Sequence, residues 1–203
     1  HTVFHKAYGY LQLQPEKAAM LPDTGGDLAS LTKPIATATS VMSLIETGKL
    51  TLDDAVAEHL PDFGNNGKEQ ISIRQLLTHM GGLIPDNSIR DYDDGPEEAM
   101  RRVFELTPTA PPGEKFMYSD VGFIVLAELV KRIIGEDVNA YSRRVIFNPL
   151  RMTETGFVPG AELAARSAVT QQRDDHWMQG EVHDPRAYAL DGVAGHAGLF
   201  STA

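Results

Sequence analysis

No cysteine occurs in the 203 residues, which excludes disulfides, thiol nucleophiles and cysteine-based metal sites. The absence fits the cytosol and an oxidising compartment equally. Basic charge is scarce too: 18 Lys and Arg face 28 Asp and Glu, for a net charge of −10. A phosphate-tracking surface needs the opposite balance, so nucleic acid is not an expected partner. The pairs Arg101-Arg102 and Arg143-Arg144 fall inside helical patterns, as solvated or salt-bridged positions. Long apolar runs are missing as well. The most apolar segment, Val121 to Ile134, is interrupted by Glu128, Lys131 and Arg132 and reads as a buried amphipathic helix, not a membrane span. Internal repeats, low-complexity tracts and dividing linkers are also absent, leaving one domain or two intimate subdomains of ordinary globular composition.

The chain opens on His1-Thr2-Val3-Phe4-His5 without Met and without a signal peptide, and it closes on Ser201-Thr202-Ala203, which reads as the cap of a following helix. The expectation is a part of a longer protein, cut at both ends. Between those ends, residues 2–12 alternate like a strand, and a polar loop runs through Pro22 to Gly26. A helix is expected from about Leu28 to Thr47, with Gly48 as its stop and Pro34 tolerable only because it lies near the start. Thr51 to Asp54 has capping-box form ahead of Ala55 to His59; Ser72 caps Ile73 to His79, and Glu97 to Leu106 forms an exposed helix. Pro85 to Pro96 reads as a surface loop. After the rigid Pro111-Pro112-Gly113 turn comes a short extended stretch to Tyr118, then the buried helix capped by Ser119 or Asp120 and stopped by Gly135. Asp137 caps another helix, to about Phe147.

Two constellations carry chemistry. Ser30-Leu31-Thr32-Lys33 places a hydroxyl and an amine three residues apart, on one face of a helix. A serine is a poor nucleophile without a base in reach, and the first helical turn offers free N–H groups to a developing negative charge. Tyr118-Ser119-Asp120 sits where an extended segment turns into the buried helix. A tyrosine held there can aim its hydroxyl into a cleft, and a nearby ammonium favours the phenolate.

Together these residues resemble the serine β-lactamase and penicillin-binding family, in its class C and esterase-like branch. The resemblance rests on Asp27 to Lys33, Glu46 to Asp54, Ile73 to Leu83, Pro111 to Asp120, Asn148 to Thr155 and Gly195 to Ala203. It implies an α/β (α+β) fold of the β-lactamase/transpeptidase type, a helical subdomain beside an antiparallel sheet flanked by helices, here without the final sheet strands. One domain over 1–203 is expected: first strands in 1–27, a mainly helical region in 28–170, and a cleft loop with the start of a later helix in 171–203.

The resemblance further implies an acyl-enzyme on Ser30, with Lys33 as proton partner and Tyr118 as base and water activator. Substrate-binding roles go to Asp120, His196, Ala197 and Gly198. Expected substrates are small esters, β-lactams or peptides, with no cofactor and no metal. A catalytically inactive binding or scaffold relative is the alternative, and the periplasm or exterior is favoured over the cytoplasm.

Three departures stand out. Asp120 occupies a position that is usually Asn, and an ionised carboxylate only accepts hydrogen bonds. Pairing with Lys33 would shift the base role toward Tyr118. Gly25-Gly26 stands where relatives carry bulky residues, and is expected to loosen the approach to the serine. The third active-site motif, source of a second oxyanion donor, has no secure match; His196-Ala197-Gly198 shares its letters alone. His5, His59 and His79 read as isolated structural histidines. Asp174, Asp175, His176, His183 and Asp184 lack metal-ligand spacing, and their stretch around Trp177 reads as a loop over the cleft.

Overall fold

The computed structural model describes residues 3–202. Thr2 and Ala203, the outer ends of two expected elements, lie outside the described residues. A helical body is built around α5 (Asp120–Ile134), on which α2 (Val56–His59), α3 (Ile73–Leu77), α4 (Pro96–Glu105) and α6 (Val138–Ser142) pack. Val121, Val125, Leu126, Leu129 and Val130 of α5 are buried, and Val41, Leu44, Leu60, Phe63, Leu76 and Val103 close over them. A three-stranded antiparallel sheet lies beside this body, in the order β3 (Gly26–Asp27), β7 (Leu199–Ser201), β4 (Gly156–Phe157). Two short hairpins accompany it: β1 (Tyr10–Gln12) with β2 (Ala18–Ala19), and β5 (Val169–Arg173) with β6 (His176–Gln179).

Local caps explain the helix boundaries. Ser72 and Gln75 form a reciprocal capping box at α3. The Ser119 hydroxyl accepts from Gly122 N–H at the start of α5, and Gly135, at φ +78°, closes it in the left-handed conformation that glycine adopts without strain. Asp137 caps α6. The Thr51–Asp54 hydrogen bonds form in the turn before α2, whose own N-cap is Ala55. On α4, Arg101 pairs with Glu98 and Glu105, and Arg102 with Glu98 and Asp94.

Several expectations need correction. The strand expected over 2–12 pairs only at Tyr10–Gln12, because alternation yields a strand only where an edge is available. Ser201 belongs to β7 rather than capping a helix; its pairing partner, Gly26, is far away in sequence. The stretch around Trp177 is the β5–β6 hairpin, turned at Asp174. Gly25 does not loosen anything. A Cβ there would come within 2.6 Å of Ser167 Oγ and 2.7 Å of Leu163 Cδ1, so glycine lets β3 seat against α7 (Ala161–Ala165).

Candidate active site

The serine segment departs from a plain α-helix. Ala29–Leu31 makes a 3₁₀ turn, Lys33–Ala38 follows in wide π turns, and the regular helix α1 spans Thr39–Glu46. Pro34 is the physical reason: it has no N–H for the carbonyl four residues back, and a widened turn relieves its ring. Ala29 is left-handed at φ +46°, held by its N–H donating to Asp27 Oδ1 at 2.8 Å. The other Asp27 oxygen accepts from His183 N–H at 2.8 Å. This bent entry leaves Ser30 exposed while Lys33 is buried.

Lys33 Nζ is the hub. It donates to Ser30 Oγ at 3.1 Å and to the His196 carbonyl at 3.2 Å, and pairs with Asp120 Oδ1 at 2.5 Å. It also lies 4.7 Å from the centre of the Tyr118 ring. Of its three polar contacts, two are hydrogen bonds and the third, to Asp120, is a close ion pair. The Lys33–Asp120 pairing considered for the unusual carboxylate is therefore present. Tyr118 is 45% exposed, and no hydrogen bond joins its hydroxyl to Ser30 or Lys33 among the described residues.

The His196-Ala197-Gly198 stretch lies against the serine turn. All three residues are buried. Thr37 Oγ1 donates to the Gly195 carbonyl at 2.8 Å, and Leu199 N–H donates to Thr32 Oγ1 at 3.0 Å. Gly195 and Gly198 permit this approach: a Cβ at 195 would sit 1.9 Å from the Phe123 carbonyl, and one at 198 would sit 2.5 Å from the Gly192 carbonyl. Of these three residues, His196 reaches the site through its backbone carbonyl, which accepts from Lys33 Nζ.

The His196 side chain faces inward, its Nε2 2.8 Å from Asp184 Oδ1. Asp184 also caps α8 (Pro185–Ala189) by accepting from Arg186 and Ala187 N–H. Burial works to raise the Asp184 pKa, but the hydrogen bond and charge of His196, with the two backbone donors, bring it down to about 2. A carboxyl held below its usual 3.8 binds fewer protons folded than unfolded. Its stabilisation is complete above that value and disappears as the pH falls toward 2. Acid titration followed by near-UV circular dichroism should show stability declining across this window, and Asp184→Asn should flatten the decline. An unchanged slope in that variant would refute the assignment.

One ring nitrogen of His196 and one oxygen each of Asp120 and Asp184 lie within 4.8 Å of one another, a grouping able to hold a cation. The Lys33 ammonium already contacts Asp120 there. Asp174, Asp175, His176 and His183 are not part of this grouping.

His79, read as an isolated structural residue, stands at the site. Its Nδ1 accepts from Ser119 N–H at 3.0 Å, and its ring lies 4.4 Å from that of Tyr118. Burial first, then the Lys33 ammonium, lower its pKa below the usual 6.5, so the ring is neutral at pH 7 with Nδ1 free to accept. His59, by contrast, pairs with Asp54 away from the site. No spacing in the sequence ties Thr32, Thr37 or Asp184 to the 195–199 loop.

The family model for Beta-lactamase matches residues 1–203. The chain belongs to the beta-lactamase family. Among curated relatives of this beta-lactamase-family chain, a putative D-alanyl-D-alanine carboxypeptidase of Escherichia coli K12 is 32% identical, over 98% of this chain and 54% of its own length. The N-acetylmuramyl-L-alanine amidase of Bacillus subtilis 168 is 31% identical, over 98% and 52%. The chain thus spans about half the length of the curated relatives it matches. Among solved structures, a class C beta-lactamase superposes with a TM-score of 0.78 at 19% identity, covering 96% of this chain and 51% of that one; at this identity the likeness establishes the fold. Among the described residues, no helix is long and apolar enough to cross a membrane.

Proposed function

We propose that this beta-lactamase-family chain acts as a serine hydrolase, attacking an ester or amide carbonyl with Ser30 Oγ and releasing the acyl group from the serine to water. The observation that carries the reading is the 3.1 Å hydrogen bond from buried Lys33 Nζ to exposed Ser30 Oγ, at the start of a helical segment. Paired with the Asp120 carboxylate, the Lys33 ammonium stabilises the developing alkoxide rather than accepting its proton. The proton then passes to Tyr118, the exposed acid–base group beside Lys33. Tyr118 gives that proton to the leaving group as it departs; in the second half-reaction it takes a proton from the attacking water and returns it to Ser30 Oγ as the acyl group is released. Ser30 N–H, at the helical N-terminus, supplies one oxyanion donor.

The names of the two curated relatives point to the substrate class: peptide amides ending in D-alanine, or the amide between a muramoyl group and L-alanine. Ester and β-lactam hydrolysis are the competing activities of the same acyl-enzyme chemistry. A fluorophosphonate and a fluorescent penicillin, followed by peptide mass mapping, test the nucleophile. The expected result is an adduct on the Ser30 peptide that Ser30→Ala abolishes; folded protein that takes neither label would sink the proposal. Turnover of p-nitrophenyl butyrate, nitrocefin and a D-alanyl-D-alanine peptide, compared side by side, ranks the substrate classes.

A further inference from the structure

We propose that His79 is a positioning residue for Tyr118, holding the backbone N–H groups of the residues on either side of it and backing its ring. This deepens the function proposed above and rests on its assignment of Tyr118. Three observations converge. The His79 carbonyl accepts from Met117 N–H at 2.8 Å, while its Nδ1 accepts from Ser119 N–H at 3.0 Å, so one residue fixes the chain on both sides of Tyr118. The imidazole lies 4.4 Å from the Tyr118 ring at an interplanar angle of 32°, with Phe123 at 5.2 Å and the Phe116 edge at 5.9 Å. The Ser119 hydroxyl is spent elsewhere, on Ile84 O and Gly122 N–H, so no competing side-chain bond at 119 supplies this restraint.

The backbone at His79 adds a separate argument. Residue 79 directly follows the C-cap of α3, Thr78, and is left-handed at φ +58°, a place where glycine or asparagine is the least strained choice. A histidine there holds the chain in a costly conformation and in return presents an acceptor and a ring to the next segment. Glycine in its place would provide neither. The clamp fixes the direction of a side chain that is otherwise 45% exposed and free to rotate. A general base misplaced by an ångström loses much of its effect.

Two variants separate the parts of the clamp. Asparagine carries an oxygen at the same bond separation from the backbone as Nδ1 and tolerates the left-handed conformation; phenylalanine keeps a ring without an acceptor. In the full chain, His79→Asn should hold kcat within about threefold of wild type, while His79→Phe lowers kcat about ten- to a hundredfold with KM little changed. The double variant His79→Phe/Tyr118→Phe should be no slower than Tyr118→Phe alone, since a residue acting through Tyr118 has nothing left to position. Thermal unfolding of each variant supplies the fold check. Losses that multiply in the double variant, or a His79→Phe enzyme with wild-type kcat, would overturn the clamp. A Tyr118→Phe enzyme with full turnover would instead overturn the role assigned to Tyr118.

Discussion

Lys33→Met is expected to slow acylation of Ser30 by about 10²- to 10⁴-fold and to cost about 3–5 kcal/mol of stability at the same time. The two losses share one cause. Lys33 is 4% exposed at its side chain and Asp120 is 18% exposed, so removing the ammonium strands a largely desolvated carboxylate and leaves the His196 carbonyl without its donor. Methionine fills much of the vacated volume, which confines the deficit to charge and hydrogen bonding. Adding Asp120→Asn removes the stranded charge. The double variant Lys33→Met/Asp120→Asn should therefore recover much of the stability while remaining inert toward a fluorophosphonate. Single-turnover labelling and urea unfolding measure the two quantities separately. Equal stability of Lys33→Met and wild type would show that the pair contributes nothing to the fold.

Gly195→Ala should be nearly as damaging, without touching any reactive group. Its new Cβ would fall 1.9 Å from the Phe123 carbonyl oxygen and 2.9 Å from Ala127 Cβ. Phe123 lies inside α5, so its carbonyl cannot yield without opening the helix, and the 195–199 loop must move away by roughly an ångström. That shift stretches Thr37 to Gly195 O and Lys33 to His196 O, two hydrogen bonds that hold the serine segment. A loss of about 3 kcal/mol or more is expected, together with slower acylation. Gly26→Ala is the matched control: a Cβ there meets nothing within 4 Å. Thermal melts in which both variants match wild type would mean that the loop is not wedged against α5.

Features set by neighbouring residues were legible in the sequence. Ser72, Ser119, Gly135 and Asp137 mark helix ends because caps act within one turn, and the structure places all four there. The Ser30–Lys33 contact was legible for the same reason, being one turn long. What escaped depends on partners far along the chain. Ser201 looked like a helix cap because β3, its pairing partner, lies near the other end of the sequence. Gly25 looked permissive because Leu163 and Ser167, which it accommodates, are about 140 residues away. For His196, nothing local reveals Asp184 as its partner or its backbone carbonyl as the group facing Lys33. His79 sits immediately after a helix end, and only the folded chain brings it against Tyr118.

The bonds from Thr32, Lys33 and Thr37 to the 195–199 loop span 167, 163 and 158 residues of sequence. Closing so large a loop costs only about 2 kcal/mol more than closing one of ~20 residues, because the entropy grows with the logarithm of length. Its cooperative consequence is larger. The Ser30 turn cannot keep these bonds if the two ends of the chain part, so opening of the sheet and loss of the serine's geometry are one event. Preorganisation at Ser30 is accordingly a global property of this molecule, drawn from the whole unfolding free energy rather than from the short helix that carries the serine.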